Sequence, residues 1–426
     1  MTSTLLFSSF FILLAMGMPI FAALGLAGMM VILAAGFSMN AVPISVQTAL
    51  MKYNLLSVPM FVLTGAVLER SGVAQRLLRL AQSIVGTGPG SLAVTAVVMA
   101  ILMGGISGSA AAIAATIGGV MTSSMIRAGY PRPFIAAVVG SAASTDILVP
   151  PSVTLIVYSL MVPGVSVPDM FAAGIIPGTL AGLALIIPVY VLSRVYGFGG
   201  QSNDPRPPFW ASLKDSLWGL MAKVVILGGL RIGLFTPTEA GVIAALYSFF
   251  VGIVVYRAIS IRQVYELLVE AAELTAIIMI IVSFAGIFSW ALSTIGFIEP
   301  VVAYVTSLPI GEYGVLAMII LLLIVAGIFL DGFPIFIIFL PLLVPIGQAY
   351  QWDMVWFGVI MTFMIIIGMF TPPLSVNLMV AAKIANTTVE ATTKWVSWML
   401  LSMLTTLVLI IVFPELVLWL PRVLAH

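Results

Sequence analysis

The chain has 426 residues, of which 62% are hydrophobic and only 7% are charged. This composition leaves too little polar sequence for a soluble domain and indicates an all-α polytopic membrane protein. A net charge of +1 gives no sign of a nucleic-acid partner, and the absence of cysteine excludes disulfides, thiolate catalysis and cysteine metal sites.

The N-terminal segment, 1–57, is predicted to form scaffold helices. Leu5 to Gly36 is apolar throughout, lacks the basic start of a signal peptide and is far longer than its apolar region, so we interpret it as mature membrane helix. Gly17-Met18-Pro19 either divides this stretch into two helices or lies within one. The two alternatives leave the side of the N-terminus open.

Two halves of the chain, 58–193 and 278–413, share landmarks in the same order at a spacing of 220 to 224 residues. This order predicts an internal repeat, although each single match is weak. The matched landmarks are Gly88-Pro89-Gly90 with Pro309-Ile310-Gly311, Ser107-Gly108 with Asp331-Gly332, Phe134 with Phe357, Pro150-Pro151 with Pro372-Pro373, and Pro168-Asp169 with Val389-Glu390.

After an arm helix, each repeat contains two short apolar halves around a polar kink. These are 91–126 around Ser107-Gly108-Ser109 and 313–347 around Asp331-Gly332-Phe333-Pro334. At about 1.5 Å per residue, most of the halves are too short to cross a hydrocarbon core of about 30 Å. We therefore predict re-entrant hairpins with tips near the midplane, buried by protein or reached by a wet cavity.

A helix follows each hairpin, at 134–162 and 355–382, and each contains a proline pair. Paired prolines remove backbone donors and stop a helix in the middle of an apparent span. Such a break frees the carbonyls of residues 146–149 and 368–371. Broken helices repeated in both halves are typical of secondary transporters, which bind ions and substrates at these breaks.

The basic residues predict the orientation. If the first hairpin enters from the cytoplasm and the second from outside, twelve of the 16 Lys and Arg fall on the cytoplasmic side and the repeats are inverted. Those twelve are Arg70, Arg76, Arg79, Arg127, Arg132, Arg194, Arg206, Lys214, Arg257, Arg262, Lys383 and Lys394. The remaining four, Lys52, Lys223, Arg231 and Arg422, fall outside or within a span.

The rest of the chain is assigned as a central linker with scaffold helices, 194–277, and a C-terminal tail, 414–426. Charges recur on one face at helical spacing in 66–83 and in 257–273. We expect both segments to form amphipathic helices along the cytoplasmic interface.

Polar groups at the hairpin tips and breaks are candidates for ion and substrate binding. The hydroxyls of Ser107 and Ser109, with nearby carbonyls, suit an alkali cation, and the half-helix that starts there presents its positive end to an anion. The alternative is that these small residues only allow close helix packing.

Asp146 and Asp331 are acids in apolar sequence, which makes each a functional candidate, although each could simply cap a half-helix and face water. Thr154 and Asn377 follow the proline pairs and are candidates for substrate contact or for packing.

Enzymatic chemistry has little support. The only histidine is His426, and no HExxH zinc motif, Walker loop or dinucleotide fingerprint occurs. We therefore assign no catalytic residue and no cofactor.

Five motifs carry a family resemblance that covers essentially the whole chain. The chain resembles the large membrane subunit of tripartite ATP-independent periplasmic (TRAP) transporters, and most closely the members that handle sialic acid. The motifs are Gly104-Gly105-Ile106-Ser107-Gly108-Ser109-Ala110-Ala111, Ile147-Leu148-Val149-Pro150-Pro151-Ser152, Ala173-Gly174-Ile175-Ile176-Pro177-Gly178, Phe235-Thr236-Pro237-Thr238-Glu239-Ala240 and Gly368-Met369-Phe370-Thr371-Pro372-Pro373.

The resemblance implies an elevator-type fold of the ion-transporter superfamily in the bacterial inner membrane. It also implies sodium-coupled import of a carboxylate-bearing solute, such as sialic acid or a C4-dicarboxylate-like acid. The implied partners are a periplasmic binding protein and a separate small membrane subunit of four helices. A stand-alone dicarboxylate or citrate-type symporter is the alternative.

Sodium is the only metal expected, and the resemblance places it in two sites. The first site would use Ser107, Ser109 and the carbonyls around Asp146, Val149 and Pro151. The second would use Gly332, Gly368, Thr371 and Pro373, with Asp331 close by. The residues expected to contact substrate, at the tips and beyond the breaks, are Gly108, Ser152, Thr154, Pro334 and Asn377.

Overall fold

The computed structural model describes residues 2–199, 206–330 and 332–424, apart from the side chain of Phe333. Within these ranges every regular element is a helix. Six helices in the described ranges are long and apolar enough to cross a membrane, or up to eight if each of two bent helix pairs forms one span. The all-α polytopic prediction is confirmed.

The N-terminal apolar stretch is divided at Gly17-Met18-Pro19. Gly17 has a φ of 82°, and Pro19 directly precedes the second helix, so one helix ends at Ala15 and the next begins at Ile20. The first four helices are α1 (Thr2–Ala15), α2 (Ile20–Ala34), α3 (Ala41–Leu50) and α4 (Ser57–Arg70), with a 3-10 turn over Tyr53–Leu56.

The two predicted amphipathic helices have different bounds from those expected. The first, 66–83, is interrupted at Gly72, whose φ of 77° ends α4 before α5 (Val73–Val85) begins. The second, 257–273, is not a separate helix but the start of α13 (Ile261–Thr294), which runs for 34 residues without a break. A capping box between Ser260 and Gln263 starts α13, and no proline or turn follows to end it early.

The remaining helices repeat one order: a helical hairpin, a helix broken at a proline pair, and a long helix. Both proline pairs contain a cis peptide bond. The first series is α6 (Ser91–Met103), α7 (Ala110–Arg127), α8 (Arg132–Ser144), a 3-10 turn (Thr145–Leu148), α9 (Val153–Met161) and α10 (Val167–Val195). Helices α11 (Phe209–Arg231) and α12 (Pro237–Phe249), the latter extended by a π-helical turn (Phe250–Val255), lead to α13. The second series is α14 (Ile298–Ser307), α15 (Gly311–Phe329), α16 (Gly332–Ala349), α17 (Met354–Gly368), α18 (Val376–Ala385), α19 (Val389–Val412) and α20 (Glu415–Leu424).

The two broken helices cross at their centres. Helix α8, before the first break, packs against α18, after the second break, and α9 packs against α17. Each hairpin also sends its second arm to the other repeat, because α7 contacts α18 and α16 contacts α9. The first half of each broken helix thus meets the second half of the other, which is the antiparallel arrangement expected of inverted repeats.

Candidate functional site

The first hairpin tip lies directly on the first proline break. The backbone N–H of Gly105 donates a hydrogen bond of 2.8 Å to Oδ1 of Asp146. A Cβ atom on Gly105 would lie 2.3 Å from the Pro150 carbonyl oxygen, and one on Gly104 would lie 2.8 Å from Cβ of Val149. Only residues without a side chain permit this approach, which explains the paired glycines.

Two further helices, α4 and α10, pack closely against the tip and the break at glycine residues. A Cβ on Gly65 of α4 would lie 2.3 Å from the Ser107 carbonyl oxygen, and one on Gly174 of α10 would lie 2.4 Å from the Leu148 carbonyl oxygen. Gly174 belongs to a motif noted in the sequence. Gly65 was missed, because a single glycine in an apolar helix carries no signal of what it touches.

The tip presents polar groups of different exposure. Ser107 is half-buried, whereas Gly108 and Ser109 are exposed. The Ser109 hydroxyl caps α7 by accepting a long hydrogen bond of 3.4 Å from the N–H of Ala112. Ser109 therefore has a structural role as a cap, and its remaining lone pair is available to a cation.

The carbonyls of the first break are partly engaged. The N–H of Val149 donates to the Asp146 carbonyl, and the buried Ser152 hydroxyl donates to the Ile147 carbonyl. Two of the carbonyls expected to be free therefore already accept a hydrogen bond. A carbonyl oxygen has two lone pairs, so these groups keep one acceptor site each.

Asp146 is 1% exposed, and its Oδ2 atom has no hydrogen-bond partner. Its negative charge interacts favourably with Lys223 of α11, whose ammonium donates a 2.9 Å hydrogen bond to the Leu102 carbonyl. Burial excludes the alternative in which Asp146 faces open water. The electrostatic attraction between Asp146 and Lys223 was missed, because 77 residues separate the two positions in the sequence.

The second tip approaches both repeats. Asp331 lies outside the described residues. Gly332 is buried. A Cβ atom on Gly332 would lie 3.1 Å from Cγ2 of Ile365 and 3.7 Å from Oγ1 of Thr154. Pro334 is buried as well. Thr154, from the first repeat, thus lies beside the second hairpin tip.

The second break is tightly packed on one side and open on the other. A Cβ on Gly327 of α15 would lie 2.9 Å from Cα of Gly368. Thr371 is half-buried and donates a 2.6 Å hydrogen bond to the Ile367 carbonyl, and Pro373 is exposed. Gly332 approaches Ile365, three residues before Gly368, so both glycines lie at the last turn of α17.

Asn377 links the two broken helices. It is fully buried, and its Nδ2 donates a 2.7 Å hydrogen bond to the Ser144 hydroxyl of α8. Its Oδ1 has no partner. Within the described ranges only four buried side-chain polar atoms lack a hydrogen bond, and Asp146 Oδ2 and Asn377 Oδ1 are two of them. Such unpaired acceptors are costly in a stable interior and mark places where a cation or a donor can bind.

Comparisons with known proteins agree with this architecture. The family model of the tripartite ATP-independent periplasmic transporter, DctM component, matches residues 7–416. The C4-dicarboxylate TRAP transporter large permease protein DctM of Pseudomonas aeruginosa is 35% identical over 94% of each chain. The sialic acid TRAP transporter large permease protein SiaM of Vibrio cholerae is 32% identical over 96% of each chain.

Solved structures show the same fold at much lower identity. The Alcanivorax borkumensis YdaH transporter superposes with a TM-score of 0.60 at 14% identity, over 87% of each chain. Neisseria gonorrhoeae MtrF superposes with a TM-score of 0.51 at 12% identity, over 87% of this chain and 83% of its own. These likenesses establish the fold alone.

Proposed function

Since the chain belongs to the DctM family of TRAP transporters, and is a multi-pass protein of the bacterial inner membrane, we propose that it imports a carboxylate-bearing solute by sodium symport. A periplasmic binding protein delivers the solute, and a separate small membrane subunit of four helices completes the transporter.

The solute class follows from relatives and from the site. Similar proteins are named for C4-dicarboxylates, for sialic acid and for 2,3-diketo-L-gulonate, at 35%, 32% and 30% identity respectively. Asn377 Oδ1 supplies an acceptor for a solute hydroxyl or amide, and the start of α7 supplies free N–H groups for a carboxylate.

The observation that carries the sodium proposal is the unpaired Oδ2 of Asp146 behind the first hairpin tip. Together with Ser107, Ser109 and the carbonyls of Val149 and Pro151, it offers the hard oxygen ligands that an alkali cation prefers. Gly332, Gly368, Thr371 and Pro373 would form a second site from backbone and hydroxyl oxygens, with Asp331 close by.

Transport by an elevator movement is part of this proposal. The hairpins and broken helices form one packed body, and their contacts with α4 include the glycine contact at Gly65. Gly65 has no side chain that could interlock with the tip, so at this contact one body can slide along the other.

Uptake into proteoliposomes tests the proposal. Acid uptake should need an inward sodium gradient, the binding protein and the small subunit. Replacing Ser107 and Ser109 together by alanine should raise the sodium concentration for half-maximal uptake, whereas Ser123→Ala, an exposed position far along α7, should not. Unchanged sodium dependence in the double variant would remove both serines from the site.

The same assay separates the alternatives. Uptake by this chain alone, without a binding protein, would favour the stand-alone symporter. Transport is favoured over an enzyme because the matching family model and the relatives are named as transporter components.

A further inference from the structure

A cavity of about 440 Å³ lies between four helices, outside the site described above. Helices α3 and α13 form one wall, and α9 and α16 form the other. Its volume falls within the range of about 300–1,000 Å³ that small-molecule sites occupy. Aliphatic side chains and the indole of Trp290 supply most of the lining.

A cationic side chain lines the cavity. Lys52, just beyond the end of α3, donates a 2.8 Å hydrogen bond to the Leu160 carbonyl in the last turn of α9. Among the described residues Lys52 forms no ion pair. An ammonium has three donors, so at least two stay available to an anion.

Hydroxyl groups on α13 add donors beside this cation. Ser289 and Ser293 line the cavity one helical turn apart, and neither hydroxyl makes a hydrogen bond within the described part of the chain. Ser45 and Thr48, on α3, differ, because each donates to a carbonyl of its own helix. The free donors therefore lie at Lys52 and α13.

Two helices that contribute residues to the candidate site, α9 and α16, also line the cavity. The lining includes Val157 and Leu160 of α9 and Ile337 of α16. Thr154 in the first turn of α9 and Gly332 at the start of α16 lie close to each other. From Thr154 to Leu160 the rise along α9 is about 9 Å. The predicted topology places Arg132, at the start of α8, on the cytoplasmic side, and α8 and α9 together form one bent span. The end of α9, with Lys52 beside it, therefore lies on the outer side, so the cavity lies between the outer surface and the site.

We propose that this cavity is an outer waiting site for the transported acid. Lys52, Ser289 and Ser293 bind the carboxylate, and the body of the solute rests against Trp290 and Val157 before it moves along α9 and α16. The identity of the ligand as the transported acid rests on the proposed function. The anionic chemistry of the site rests on the cavity itself.

Cysteine labelling tests the site without transport, since the chain has no cysteine. Purified Ser289→Cys should react faster with a negatively charged methanethiosulfonate than with a positively charged one of similar size. A single positive charge in the same cavity predicts a ratio of roughly tenfold. Lys52→Gln should bring the ratio close to one, and Lys52→Arg should keep it. Ser307→Cys, exposed on α14, is the control and should show no preference in either background.

Protection experiments identify the ligand. Succinate or sialic acid should slow the labelling of Ser289→Cys, and Lys52→Gln should remove this protection. Protection by phosphatidylglycerol added to phosphatidylcholine bilayers, without protection by either acid, would overturn the proposal in favour of a lipid site. An unchanged charge preference in Lys52→Gln would overturn it as well.

The outcomes for the waiting site and for the proposed function are separable. If either acid protects Ser289→Cys but no sodium-driven uptake occurs, the waiting site stands and the import function fails. If uptake occurs but neither acid protects the cysteine, the import function stands and the waiting site fails.

Discussion

The two proline breaks share a backbone design but differ in their surroundings. At the first, Pro151 and Ser152 are buried, and Asp146 precedes the prolines. At the second, Thr371 and Pro372 are half-buried and Pro373 is exposed. Gly368 holds the position that corresponds to Asp146.

This difference separates two ways of stabilising a broken helix inside a membrane protein. The first break is held by side-chain chemistry, through the hydrogen bond from Gly105 to Asp146 and the attraction of Lys223. The second is held by close backbone packing between Gly327 and Gly368. We therefore expect substitutions at the first break to reduce stability most, and substitutions near the second to affect solute binding more selectively.

The largest expected effect comes from a methyl group at a tip or break glycine. Gly105→Ala should lower the free energy of unfolding by about 2–5 kcal/mol, because alanine is strained at a φ of 72° and its Cβ would meet the Pro150 carbonyl. At Gly368 the backbone has no positive φ, but an added Cβ would meet the backbone of Gly327, so Gly368→Ala should lower the free energy of unfolding by about 1–3 kcal/mol. Thermal unfolding in detergent measures both. Gly119→Ala, in open space on α7, is the control, and equal midpoints for all three would contradict the comparison.

Removing the acid of the first break should have the next largest effect. Asp146→Ala leaves the Gly105 N–H unpaired and Lys223 without its counter-charge, at a cost of about 3 kcal/mol. Adding Lys223→Met should recover part of that stability, and a double-mutant cycle on unfolding midpoints measures the coupling. If Asp146 also binds sodium, the sodium requirement should not recover in the double variant. Additive effects of the two changes would show that the residues are not coupled.

The polar link between the two broken helices should affect solute binding more than stability. Asn377→Ala removes both the donor to Ser144 and the unpaired Oδ1 acceptor, whereas Ser144→Ala removes only the acceptor for Asn377 Nδ2. Each should cost about 1–3 kcal/mol of unfolding free energy. Only Asn377→Ala should also raise the KM of uptake, by about tenfold. Equal KM values for the two variants would assign Asn377 to packing alone.

The sequence predicted the hairpins and breaks because their signals are local. Paired prolines stop a helix wherever it lies, and a polar kink divides each hairpin into two arms. Re-entry of the hairpins stays a prediction, because two of the arms, α7 and α15, are long and apolar enough to cross a membrane. The same local reasoning failed at 257–273, where charges on one face mark exposure but do not end a helix, so α13 continues to Thr294.

Pairings between distant residues were beyond sequence reasoning. Nothing in the sequence around Lys223 or Ser144 indicates Asp146 or Asn377 as its partner, because the fold alone brings these positions together. The waiting-site residues were missed for the same reason. Lys52 was noted only as a basic residue away from the cytoplasmic group, and its position beside α13 depends on how α3 packs against that helix.

The smallest expected effect on the free energy of unfolding comes from removing the hydroxyl that donates to a carbonyl at each break. Ser152 donates to the Ile147 carbonyl in a buried setting, and Thr371 donates to the Ile367 carbonyl in a half-buried one. Ser152→Ala should cost about 1–2 kcal/mol, because a buried carbonyl loses its donor. Thr371→Val, which keeps the shape of the side chain, should cost less than about 1 kcal/mol, because water can replace the donor. Unfolding midpoints measure both costs, and a larger loss at Thr371 would mean that the second break also depends on side-chain chemistry.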